Sequence, residues 1–140
     1  MPIRFYVDAD LLGLAKLLVT VRADVTFPGD PGGTGIDGYP RPACSVQPGA
    51  KDPVWIPIVA AEGWVIITRD RRIQSKPAER QAVIEHSAKL IRLDPRHALS
   101  KWGQLEIVVS QWRRMEDRVD TPGPWLFVAT RSGLRSETLD

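Results

Sequence analysis

The chain has 140 residues, 43% hydrophobic and 26% charged, which suits one soluble domain with a single core. Its net charge of +2 and pI near 8.9 are compatible with a polyanionic partner without requiring one. The lone cysteine, Cys44, excludes an intrachain disulfide. No apolar run reaches the roughly 20 residues of a membrane span, and no secretory pattern opens the chain, so a cytoplasmic protein away from membranes is expected.

Ile3 to Val7 is a compact β-branched and aromatic run that ends at Asp8, and reads as a strand. From Asp10 to about Arg22, Leu11, Leu14, Ala15, Leu18 and Val21 recur at helical spacing, with Asp10 as a natural N-cap. Leu12, Leu17 and Val19 make the other side of this helix apolar too, which calls for deep burial or a partner, such as a second copy in a homodimer. Val25 to Phe27 predicts a short second strand. Residues 28–50 then carry so many glycines and prolines that regular structure is not expected, and a loop of this length is usually functional or disordered. It is read as an insertion within one domain.

Asp52-Pro53 predicts a helix start, Asp as N-cap and Pro as first helical residue, running to about Glu62 and stopping at Gly63. Trp64 to Thr68 reads as a strand buried on both faces, as in a parallel sheet covered by helices. A helix over about 77–86, a strand over 89–93 and a helix over about 101–117 follow, the last with a stripe of Leu105, Val108, Val109, Trp112 and Met115. A final strand over 125–129 precedes a polar tail, 131–140. This order implies a doubly wound α/β domain with a mainly parallel sheet over residues 1–130.

In such a sheet the strand ends and the helix starts share one edge, where ligands collect. Asp8 ends the first strand, Asp70 follows the third, and Asp52 opens the helix leading into it, so three carboxylates meet at one rim. Clustered carboxylates repel one another unless a cation neutralises them. An all-oxygen ligand set suits Mg²⁺ or Mn²⁺, and the chemistry that fits is phosphodiester hydrolysis by activated water. Arg69, Arg71 and Arg72 bracket Asp70 and are candidate phosphate binders, although they also read as a solvated surface. Capping alone explains Asp10, and capping is compatible with metal binding at Asp52. Asp94-Pro95 is a turn signal, His86 and His97 read as surface residues, Cys44 lacks a catalytic base, and the five tryptophans read as core or interface.

The run RFYVDADLLGLAKLL resembles the opening of PIN-like nucleases, and DPVWIPIVAAEGWVIITRD resembles the second signature of a branch that includes VapC-type toxins and Mut7-C-type domains. The resemblance covers about residues 2–93 and lies in the order and spacing of the motifs. It implies a Rossmann-like three-layer sandwich and a Mg²⁺- or Mn²⁺-dependent ribonuclease. Asp8, Asp52 and Asp70 fall on the acidic positions, and Thr68 falls on a position that supports the site. It also implies a protein antitoxin. Two departures stand out: Arg71 and Arg72 replace an acidic residue after Asp70, and the 28–50 loop is long. One metal or two are both compatible, with Glu79, Asp30 or Asp37 as conceivable extra ligands. A catalytically silent PIN-like module binding RNA or a protein is the alternative. A phosphoacceptor receiver domain needs a Ser or Thr after the fourth strand and a Lys after the fifth, and a nucleotide-binding Rossmann domain needs G-x-G-x-x-G at a strand-to-helix turn; this sequence has none of these.

Overall fold

The computed structural model describes residues 2–139. A six-stranded sheet forms its centre, in the order β2-β1-β5-β6-β7-β8. The strands are β1 (Phe5–Val7), β2 (Val25–Thr26), β5 (Val65–Thr68), β6 (Lys89–Leu93), β7 (Trp125–Ala129) and β8 (Leu134–Glu137). All neighbours pair in parallel except β7 and β8.

Successive strand residues point to opposite faces, and here both faces are apolar. Phe5, Val7, Val65, Ile67, Ile91 and Leu93 pack under α1 (Leu12–Val21) and α5 (Lys101–Glu116). Tyr6, Ile66, Leu90 and Leu126 pack under α2 (Asp52–Glu62), α3 (Arg72–Ser75) and α4 (Pro77–Glu85). Full burial of each such side chain contributes about 1.5–3 kcal/mol, so the unbroken apolar runs require helices on both sides. Trp112 lies 4.6 Å from Phe5 in one layer, and Trp55 stacks on Tyr6 at 5.0 Å in the other. The result is the three-layer α/β sandwich with a mainly parallel sheet that the sequence implies.

Several local expectations are corrected. Asp10 does not cap α1. A 3-10 turn, Ala9–Leu11, precedes the helix, and Asp8 caps that turn by accepting from the Ala9 amide. Lys51, not Asp52, is the N-cap of α2, because the Asp52 carboxylate accepts from Trp55 Nε1 instead of a backbone amide. On α5 the buried side is Ile107, Val108, Gln111, Trp112 and Met115, whereas Val109 is exposed, because the helix lies on the sheet along a line one residue away from the expected stripe. Within the polar tail, Leu134–Glu137 pairs antiparallel with β7 as β8, and Leu139 packs on the second layer.

The glycine- and proline-rich segment also has structure. It holds a two-stranded antiparallel ribbon, β3 (Gly33–Thr34) and β4 (Pro40–Arg41), and its organiser is Asp30. The buried Asp30 carboxylate accepts from Thr26 Oγ1, from the Gly32 amide and from the Arg41 guanidinium, while its carbonyl accepts from the Cys44 amide. Gly32 has φ +79°, and a Cβ there would lie 2.6 Å from the Arg41 carbonyl oxygen, so glycine is required at that turn. Asp30 is therefore committed to the loop rather than to a metal, and Asp37 sits exposed at the ribbon's tip, accepting from the Tyr39 amide.

Candidate active site

The C-terminal edge of the sheet carries the acidic residues. Asp8 leaves β1 with its amide bonded to the Ile67 carbonyl, which keeps it in register with Thr68 at the end of β5. Its side chain is buried. Oδ1 accepts from the Ala9 amide at 2.7 Å and Oδ2 accepts from the Thr68 hydroxyl at 2.9 Å. Thr68 Oγ1 in turn accepts from the Asp70 amide at 3.0 Å, so one buried hydroxyl couples Asp8 to the turn that presents Asp70. Burial, reinforced by repulsion from Asp10 and Asp52, pushes the Asp8 carboxyl up to about 7 even though Thr68 and Ala9 hydrogen-bond its anion.

Asp52 lies in the first turn of α2, half-buried, and its carboxyl is raised by burial and by the nearby charges of Asp70 and Glu79. Asp70 goes the other way. Burial would raise it, but Arg72 donates to it from its backbone amide, Nε and Nη2, and holds it below the usual carboxylate range. Asp10 is exposed and accepts from the Arg69 amide at 3.1 Å. Asp8, Asp10, Asp52, Asp70 and Glu79 thus share one edge and feel one another's charge. Among the described residues, however, no three His, Cys, Asp or Glu side chains stand close enough to hold a metal ion together.

The three expected arginines divide. Arg69 donates from Nη1 to the Ala98 carbonyl and is tied to the fold. Arg72 is spent on Asp70. Arg71 is exposed and faces a different pocket on the same edge. Asp94 takes the turn role expected of it: buried, it accepts from the amide and guanidinium of Arg96, which holds it far below the usual range. His97 is half-buried rather than on the surface, its amide bonded to the Asp94 carbonyl. Arg92, on the inner part of β6, was not singled out from the sequence. The visible signal was a cation inside the otherwise buried strand Lys-Leu-Ile-Arg-Leu.

The donor set fits a hard divalent cation chemically. It consists of carboxylate oxygens, and at its centre Asp8 is held in a setting that disfavours a lone negative charge.

A three-layer α/β domain with acidic side chains along the C-terminal edge of a parallel sheet belongs to the class of folds that place their chemistry at strand ends. Residues 4–94, well over half of the chain, match the family model described as a PIN like domain, and the chain belongs to that family. PIN-like domains are in general nucleases and in general use divalent metals. Neither a curated protein nor a solved structure matches the chain.

Proposed function

We propose that the protein is a metal-dependent endoribonuclease that hydrolyses RNA phosphodiester bonds, with Asp8, Asp52 and Asp70 as the residues that would hold Mg²⁺ or Mn²⁺. The observation carrying this reading is Asp8: a buried carboxylate at a strand end, clamped by Thr68 and Ala9 and crowded by other acids. A bound divalent cation supplies Lewis acidity and a water of lowered pKa. The protein's own part is orientation. Thr68 keeps one Asp8 oxygen fixed and, through the Asp70 amide, ties both acids to β5. Asp70 would exchange Arg72 for the cation, and the freed Arg72 guanidinium would then stand beside the site, suited to a substrate phosphate.

The resemblance to toxins supports a role as the toxin of a toxin–antitoxin pair, with a protein antitoxin covering the acidic edge. One observation favours the alternative of a silent module that binds RNA or a protein: Asp70 is closed by Arg72, and no three acids converge. Incubation with mixed cellular RNA in Mg²⁺ or Mn²⁺, then in EDTA, beside Asp8→Asn and Asp70→Asn, separates the two. Cleavage is expected, abolished by chelation and reduced at least about a hundredfold in each variant. Folded wild-type protein that cuts nothing and binds no divalent metal would leave the silent module.

A further inference from the structure

The register of the sheet extends the acidic edge sideways. Asp8 stands beside Thr68 on β5, Thr68 pairs with Arg92 on β6, Arg92 with Val128 on β7, and Val128 with Arg135 on β8. These residues form one row, and Tyr6, Ile66, Leu90 and Leu126, two positions earlier on their strands, place it on the α2–α4 face. At roughly 4.8 Å per strand, Arg92 is about 10 Å from Asp8 along that row. There the row opens into a pocket of about 280 Å³.

Four arginines line this pocket, Arg71, Arg92, Arg96 and Arg135, against two carboxylates, Asp94 and Glu137. The acids are already engaged: Asp94 pairs with Arg96 at 2.8 Å and Glu137 with Arg92 at 2.8 Å. Among the described residues Arg71 and Arg135 have no acidic partner, and Arg92 Nε has no hydrogen-bond partner. The Arg92 side chain is only 6% exposed, so its charge lies beneath the pocket and is screened little by water. Burial makes its protonated state harder to hold, and the attraction of Glu137 and Asp94, opposed by the like charges of Arg71 and Arg135, does not fully offset it. A surplus of two positive charges over a partly buried floor is unfavourable alone and favourable with an anion seated on it.

We propose that this pocket binds a backbone phosphate of a single-stranded RNA, next to the one presented to Asp8, with Arg71 and Arg135 as its contacts and Arg92 as the buried charge beneath. The assignment rests on the ribonuclease reading and names where that enzyme holds its substrate. Chain continuity supports it, since Arg71 follows Asp70 directly and a strand lying along the strand ends passes from one to the other.

The test is fluorescence anisotropy of a labelled single-stranded oligoribonucleotide in EDTA, where nothing is cut. Wild type is compared with Arg135→Gln, Arg71→Gln and Arg113→Gln, the last removing an exposed charge from α5 on the opposite face. Arg135→Gln and Arg71→Gln should each weaken binding by about five- to tenfold and lower the salt slope by about 0.7, while Arg113→Gln changes neither. Wild-type affinity in both pocket variants, or an equal loss in Arg113→Gln, would overturn the site. So would a pocket that takes up inorganic phosphate while its variants bind RNA unchanged, since that describes a free-anion site. The two readings fail separately: binding lost in the pocket variants without any Mg²⁺-dependent cleavage removes the enzyme and keeps the pocket. Cleavage with unaltered binding in the variants does the reverse.

Discussion

Asp8 combines two opposed demands. Its carboxylate receives two hydrogen bonds that favour the anion, yet burial and neighbouring acids raise its pKa to about 7. An unfolded aspartate titrates near 3.9, so the folded chain binds a proton more tightly between those values. In a chelator, the stability that Asp8 contributes is therefore complete below about pH 4 and is lost as pH rises towards 7. Asp8→Asn should be more stable than wild type by a few kcal/mol, at most about 4, at pH 8 in EDTA, and no more stable at pH 4. Chemical denaturation at the two pH values checks this. A wild type equally stable at both would show that burial does not penalise the Asp8 charge.

At the scale of elements, β8 shows how a polar segment joins a core. Leu134–Glu137 has no apolar alternation, and it is attached by backbone pairing with β7, by Leu134 against the core and by the ion pair between Glu137 and the buried Arg92. Without it, β7 becomes an open edge, and Arg92 keeps a buried charge with no carboxylate. Removing residues 131–140 should cost about 3–5 kcal/mol and promote self-association, read as a lowered melting temperature and early elution in size-exclusion chromatography. A truncated chain that melts with wild type would mean that β8 and its ion pair add nothing to stability. The 28–50 segment follows the same logic. Its glycines and prolines forbid helix and long strand, but they do not forbid a loop folded around one buried carboxylate, Asp30.

For the whole molecule, a second ionic knot ties the N-terminal end of the sheet to its helices. Asp24 is fully buried and accepts from Arg4 and Arg22, and Arg4 also bonds Glu116 at the end of α5. Burial raises the Asp24 carboxyl, but the hydrogen bonds from Arg22 and Arg4 outweigh it and leave the pKa lowered. Its stabilisation is thus present above the unfolded value near 3.9 and is lost as pH falls through the folded one. Asp8 and Asp24 slope in opposite directions, so the metal-free protein should be most stable near pH 4–5. Asp24→Asn should cost about 2 kcal/mol at neutral pH, a figure kept low because both arginines are partly solvated. Unfolding curves from pH 2 to 9 in EDTA check both, and stability rising steadily to pH 8 would contradict the balance.

The strands over 65–68, 89–93 and 125–129 were legible in the sequence because two covered faces leave short, largely apolar runs, and their alternation with helical segments fits a covered parallel sheet. From that order the shared edge of Asp8, Asp52 and Asp70 follows, since parallel strands all end on one side. Spacing found most of the buried side of α5 (Val108, Trp112 and Met115) but not that Ile107 and Gln111 replace Val109 on it, that Asp8 rather than Asp10 caps the first turn, or that Asp30 organises the long loop. The first depends on an offset of one residue, the second on which of two nearby carboxylates turns to the backbone, and the third on Arg41 reaching back eleven residues to Asp30. The row from Asp8 through Arg92 to Arg135 likewise exists only once strands are in register, whereas Arg72 meets Asp70 within a single turn, two residues on. Local pattern determined the layers and the acidic rim, because burial and chain direction are written residue by residue. Tertiary structure decided the long-range pairings, Arg4 with Glu116 and Arg92 with Glu137, because those are settled by distance in space.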